Sequence, residues 1–237
     1  MNALAKRLFT IKRVGSLPNY KEFLAKKGSV KRTMPVIDGF NFRMLKGEED
    51  IPRVAHLLTE GFKSEITYVI GKNNLECMKN FWIKTLNYDT TTRDNFLLAE
   101  VDNEVKGFIK IQDFEGKEKH LPLSEVFKIF PFFGVLKFLI ALWQVDKTSV
   151  RSEIPEKYIE YISVDSKARG KKIARNVLEY FEYIAEQRGA QKVALTVYSN
   201  NKPAINLYLR AGYTTTYEIS GPKCLNAGHE EVLAHHY

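Results

Sequence analysis

With only two cysteines in 237 residues, Cys77 and Cys224, the chain lacks the thiols for a disulfide framework. It also lacks a secretory signal ending in a small-residue cleavage site, so a reducing, cytoplasmic compartment is the default expectation. The five histidines (His56, His120, His229, His235, His236) show no metal-ligand spacing, and no metal is expected. Long uninterrupted apolar runs are missing as well. The richest stretch, Val126 to Val145, has fifteen apolar residues in twenty but is broken by Lys128, Pro131, Gly134 and Lys137. A mid-span lysine is costly in hydrocarbon, which argues against a transmembrane helix. Repeats and low-complexity runs are absent too. What is there is a chain with 44% hydrophobic residues, ample for the core of one domain with additions.

Charge is unevenly spread. Residues 1 to 35 hold nine Lys/Arg and the single acid Glu22, which accounts for the whole net charge of +8. Leu4, Leu8, Phe9, Ile11 and Val14 lie among these cations, the composition of a basic amphipathic helix. Such an arm suits an anionic membrane surface, an organelle-targeting peptide, nucleic acid or a solvated extension. No nucleic-acid-binding motif supports the third of these.

The domain proper is expected over residues 39–237, after a basic extension over 1–38. Phe40 to Leu45 alternates like a strand, Glu48 to Phe62 reads as a helix with Ile51, Val54, Ala55, Leu57, Leu58 and Phe62 on one face, and Leu75 to Leu86 reads as a second helix. Asn95 to Val101, a turn at Asp102-Asn103, and Val105 to Ile111 form a hairpin pattern. Gly107 inside the second of these strands marks a bulge or a close backbone approach. The segment from about 113 to 156 is a helical apolar insertion. It is read as packed onto the domain or across a dimer interface, or else as a substrate-shaping or membrane-facing lid.

The stretch from Tyr158 to Tyr213 organises the rest. Tyr158 to Val164 is rich in β-branched and aromatic residues and runs into Asp165-Ser166-Lys167-Ala168-Arg169-Gly170-Lys171-Lys172, after which Ile173, Ala174, Val177, Leu178, Phe181, Ile184 and Ala185 recur at helical spacing. That helix is expected to stop at Gly189 and to keep Arg175, Glu179, Glu182 and Arg188 wet. A strand feeding a helix N-terminus through a basic turn is suited to a phosphate or pyrophosphate, because the first N–H groups of a helix have no intrahelical acceptor. Lys192 to Tyr198 reads as a buried strand, Tyr213 to Ile219 and Glu230 to Tyr237 as further strands, and Ser220 to Gly228 as a loop.

Arg169-Gly170-Lys171-Lys172-Ile173-Ala174 resembles the acetyl-CoA pyrophosphate loop of the GNAT superfamily of N-acetyltransferases, Gln/Arg-x-x-Gly-x-Gly/Ala, with Lys172 standing at the first glycine. Asn201 to Tyr213 matches a second family segment, Asn-x-x-Ala-x-x-Leu-Tyr-x-x-x-Gly-Phe/Tyr, at every named position. The resemblance implies an α/β fold: a mixed, mostly antiparallel twisted sheet of six to seven strands flanked by about four helices, with the insertion between the third and fourth strands. It further implies acetyl-CoA as co-substrate and transfer of the acetyl group to an amine acceptor.

By the same resemblance Val164 pairs with the pantetheine arm, Arg169, Gly170, Lys171, Lys172, Ile173 and Ala174 hold the pyrophosphate, Asn201 bonds the arm, and Tyr208 protonates the departing sulfur. Glu160, on the strand before the loop, is the candidate base, with ordered water as the alternative and amine recognition as a further role. Tyr161 and Tyr198 either line the cleft or pack. Tyr208 shares a helical face with Ala204 and Ala211, so its other reading is a core aromatic. Transfer of a longer acyl group, a hydroxyl acceptor, and a CoA-binding or membrane-associated module with little catalysis remain open as alternatives. So do a homodimer and a peripheral membrane contact through the arm or the insertion.

Overall fold

The computed structural model describes residues 37–111, 119–148, 156–188, 190, 192–198, 201–220 and 229–236. The basic extension up to residue 36, both ends of the insertion, Gly189 and the loop 221–228 lie outside them. The chain divides into two compact units. One comprises Ile37–Arg151 and Ile159–Leu178, the other Ser152–Tyr158 and Glu179–Tyr237.

In the first unit β1 (Asn41–Met44), β2 (Phe96–Val101), β3 (Glu104–Ile111) and β4 (Glu156–Val164) follow one another as antiparallel neighbours. The β2–β3 connection is the two-residue turn expected at Asp102-Asn103, whose φ angles of 54° and 59° give the twist a tight hairpin needs. Both readings of Gly107 are borne out. The β2–β3 register slips beside it, with Ala99 opposite Gly107 but Glu100 opposite Val105. A Cβ on Gly107 would meet the Ser163 carbonyl oxygen at 3.0 Å and Ile173 Cγ2 at 3.1 Å, so the missing side chain admits the next strand and the start of a helix.

Helix α1 (Ile51–Gly61) starts at the first residue of its apolar stripe, with a proline in its first turn, and not at the expected Glu48, so Glu48, Glu49 and Asp50 stay outside. Asp50 instead accepts two hydrogen bonds from the Arg43 guanidinium, at 2.7 and 2.9 Å. A further helix, α2 (Lys63–Ile70), precedes α3 (Leu75–Tyr88). Leu45, Ile51, Val54, Leu57, Leu58, Leu86, Phe96, Leu98 and Phe108 form the core between these helices and the strands. Below α3, the buried Asp89 carboxylate ties the chain together. It accepts from Thr91 N–H and Oγ1, from Thr92 Oγ1 and, across 30 residues, from Lys119 N–H at 2.7 Å.

The insertion is helical, as expected, with α4 (Leu123–Ile129) and α5 (Phe132–Thr148). Val126, Phe130, Val135 and Phe138 pack into a second apolar cluster with Ile66, Ile70 and Met78. Phe138 meets Phe81 edge-on at 4.8 Å and stacks on Phe130 at 5.2 Å. No helix among the described residues is long and apolar enough to cross a membrane.

The second unit holds β5 (Lys192–Tyr198), β6 (Thr214–Ser220) and β7 (His229–His236), with β7 paired antiparallel to both others. The two terminal strands read from the sequence are therefore present and pair antiparallel with each other. Helix α6 (Ile173–Gln187) buries Ile173, Val177, Leu178, Phe181 and Ala185, the apolar stripe read from the sequence. One residue departs from that reading: Glu182, expected to be wet, is only 4% exposed. At about 100° per residue it borders the stripe beside Leu178 and Ala185, where burial of the flanking positions carries it inward.

Candidate active site

The first unit carries the loop. Strand β4 ends at Val164, and the next residue, Asp165, extends the ladder by donating its N–H to the Lys106 carbonyl at 2.8 Å. Its carboxylate is held on both sides: Oδ1 accepts from Lys167 N–H at 2.9 Å, and Oδ2 from Arg53 Nη2 at 2.5 Å. The Arg53 guanidinium and the Lys167 N–H together hold this carboxyl below the usual aspartate range. Arg53 also donates Nε to the Val105 carbonyl at 2.9 Å, so one guanidinium joins α1, the hairpin and the entrance of the loop.

Beyond Asp165 the chain makes one 3-10 turn, Ser166–Ala168, and then passes through two left-handed residues, Gly170 (φ 82°) and Lys172 (φ 61°). A Cβ on Gly170 would meet nothing within 4 Å, so its glycine serves backbone conformation and not space. The first hydrogen bond of α6 runs from Asn176 N–H to the Lys172 carbonyl at 2.9 Å. The N–H groups of Ile173, Ala174 and Arg175 thus precede the helical ladder, at the positive end of the helix dipole. Arg169, Gly170, Lys171 and Lys172 are all exposed, whereas Ile173 is buried as the anchor of the turn. Exposed cations over unladdered N–H groups fit a pyrophosphate.

Glu160 lies on β4 where the register with β3 slips: Lys110 faces Tyr161, and Ile111 faces Ile159, leaving Glu160 as the extra residue. Its Oε2 takes the Lys110 ammonium. Lys110 is 8% exposed and Glu160 28%, so the pair is mostly covered, with the carboxylate the more open member. Lys110 Nζ also stands 5.7 Å from the centre of the Tyr161 ring, which itself packs edge-on against Phe62 at 5.1 Å and Trp82 at 6.1 Å. Tyr161 is therefore a packing residue and a platform for Lys110. Tyr198 side-chain contacts lie outside the described residues.

Sequence reasoning missed Lys110, Arg53 and the structural part of Asp165. A signal for Lys110 was present, since it shares strand parity with the fully buried Phe108 and so is a cation on a core face. None existed for Arg53, whose partners are 52 and 112 residues away.

The second unit carries Asn201 and Tyr208, on helix α7 (Lys202–Arg210). Asn201 caps that helix, its Oδ1 accepting from Ala204 N–H at 3.3 Å, which leaves the amide N–H2 as the group that can serve a ligand. Tyr208 is 4% exposed, with its ring centre 5.8 Å from that of Tyr213. Burial pushes its phenol above the usual tyrosine range. No group of three or more metal-ligating side chains is found among the described residues.

Comparison with known proteins agrees with this geometry. The family model described as "Acetyltransferase (GNAT) family" matches residues 71–213. An N-acetyltransferase from Staphylococcus aureus Mu50 superposes with a TM-score of 0.57 at 20% identity, covering 82% of this chain and 100% of its own. The PaiA N-acetyltransferase of Thermoplasma acidophilum, solved in complex with coenzyme A, gives 0.52 at 14% identity, covering 84% and 99%. A ribosomal-protein-alanine N-acetyltransferase from Brucella melitensis gives 0.51 at 18%, covering 83% and 99%. Curated protein sequences give no match. The likenesses show a common α/β fold, and the family model spans more than half of the sequence, so this chain belongs to the GNAT acetyltransferase family.

Proposed function

We propose that this protein transfers the acetyl group of acetyl-CoA to an amine acceptor, by direct attack of the amine on the thioester carbonyl. The observation that carries the reading is the turn from Arg169 to Ala174, with two left-handed residues placing exposed cations above the start of α6. In this reading the N–H groups of Ile173, Ala174 and Arg175 bind the pyrophosphate, Arg169, Lys171 and Lys172 neutralise it, and Val164 pairs with the pantetheine arm. The Asn201 amide donates to the same arm.

The amine nitrogen forms the new C–N bond, the C–S bond breaks, the ammonium proton leaves to a base, and the thiolate takes a proton. Tyr208 suits the last step, because a phenol, with a reference pKa near ~10, is protonated at neutral pH and can donate, and burial keeps it in that form. Glu160 is the base in this reading. One of its oxygens is held by Lys110, and the second oxygen of the carboxylate takes the proton. The cytoplasm is the proposed compartment.

Titration of acetyl-CoA into the purified full chain is the first test, with Arg169→Glu/Ala174→Glu as the control. Micromolar binding that disappears in the double variant is expected. Thiol release against a panel of amines then reads turnover, and Tyr208→Phe lowers it about a hundredfold or more. Undiminished turnover in Tyr208→Phe would leave Tyr208 a core aromatic. Tight CoA binding with no turnover on any amine would favour a binding module without catalysis.

A further inference from the structure

Among the described residues nine large apolar side chains are exposed, and seven of them lie on the helical insertion: Leu123, Phe127, Phe132, Phe133, Leu136, Leu139 and Ile140. Such concentration is unlike the scattered exposure normal for a surface. Helix α5 is apolar on two faces. At about 100° per residue Phe132, Phe133, Leu136, Leu139 and Ile140 share an arc about 120° wide, while Gly134, Val135 and Phe138 form the buried face. Phe132 and Phe133 are 70% and 76% exposed at the corner where the two helices meet.

The charges around this face select its occupant. Lys137 is exposed at the edge of the arc, next to Phe133. Lys128, 65% exposed, borders Phe127 on α4. The acid of the segment from Leu123 to Ile140 is Glu125, and it is already shared between Lys128 and Lys84, at 2.5 and 2.9 Å. A surplus of cations, Lys84, Lys128 and Lys137 against Glu125, thus rims an aromatic face. A second copy docked by the same face would add a like surplus of cations and, within residues 123–140, no carboxylate beyond the already paired Glu125 to meet them, which costs free energy. An anionic surface of hydrocarbon and headgroups satisfies both parts, with phenyl rings at the acyl boundary and ammonium groups at the phosphates.

We infer that the exposed face of the α4–α5 hairpin is a peripheral membrane-docking surface, which seats Phe127, Phe132, Phe133 and Leu136 in an anionic lipid bilayer. The inference does not depend on the acetyl-transfer reading, because none of these residues belongs to the cofactor loop.

The test pairs sedimentation with scattering, on the full chain. Vesicles of phosphatidylcholine alone and mixed with phosphatidylglycerol are pelleted with wild type, Phe132→Ser/Phe133→Ser and Lys137→Glu, each first shown to be folded by circular dichroism. Pelleting with the anionic vesicles is expected, weakened by salt, by Lys137→Glu, and roughly tenfold or more by the double serine variant. Absence of pelleting overturns the inference. So does pelleting that the double serine variant leaves unchanged. A dimer that light scattering finds in wild type and loses in that variant, without vesicle binding, assigns the face to a second copy and overturns it as well. Retained acetyl-CoA binding in the serine variant separates any loss of docking from loss of the cofactor site.

Discussion

Lys172 adopts a left-handed conformation, φ 61°, at the place where the family pattern has a glycine. The conformation costs an L-residue about 1–2 kcal/mol, because Cβ crowds the following carbonyl oxygen. Glycine is free of that cost, but it gives the unfolded chain more freedom, which takes back about 0.4–1 kcal/mol. Comparison of Lys172→Gly with Lys172→Ala isolates the balance, since both variants lose the ammonium and only one keeps a Cβ. The glycine variant is expected to be more stable by about 0.5–1 kcal/mol. For a chain of this size that corresponds to a rise in Tm of roughly 2 °C. Thermal and urea denaturation followed by circular dichroism read the difference. Acetyl-CoA titration should show the glycine variant binding at least as well as the alanine variant. A glycine variant that melts at or below the alanine variant would refute the reasoning, since the left-handed residue would then carry no strain.

Two further outcomes follow from the carboxylates that anchor loops. The Asp89 carboxyl is raised by burial but lowered further by the Thr91, Thr92 and Lys119 hydrogen bonds, to about 2. A depressed folded value means that its stabilisation, about 2 kcal/mol, is fully present above the unfolded value near pH 4 and is lost as pH falls toward 2. Asp89→Asn should therefore destabilise at pH 7 while flattening the acid limb of a urea-stability profile; an unchanged acid limb would count against this assignment. Arg53→Met leaves Asp165, 13% exposed, without its guanidinium and is expected to lose about 1–3 kcal/mol and to weaken acetyl-CoA binding. Binding as tight as wild type, at reduced stability, would mean that the ion pair serves folding and not the loop.

Much of the strand–turn–helix from Tyr158 to Ala185 was legible in the sequence because its determinants are local. A strand, a basic turn and an apolar stripe of period 3.6 are adjacent in the chain, and the structure places Val164 and Arg169 to Ala174 accordingly. The Asp102-Asn103 turn was legible for the same reason. Helix α2 was not: Ile66, Thr67, Val69 and Ile70 have strand propensity, which the burial of Ile66 and Ile70, one turn apart, against Met78 overrides. The Lys110–Glu160 pair was beyond reach because it needs both the β3–β4 pairing and its one-residue slip. No periodicity announces a bulge, and Glu160 was placed on its strand without the partner that occupies one of its oxygens.

The slip at Glu160 separates what the strand needs for pairing from what it carries. Ile159 is held opposite Ile111, and Tyr161 opposite Lys110, so the ladder closes without any contribution from the residue between them. Remove Glu160 from the chain and Ile159 and Tyr161 become consecutive, still opposite consecutive residues of β3, with their faces unchanged. The position is therefore dispensable for strand register but not for charge: without Glu160 the covered Lys110 ammonium loses its carboxylate, so what fixes the extra residue in the strand is the ion pair and not the pairing.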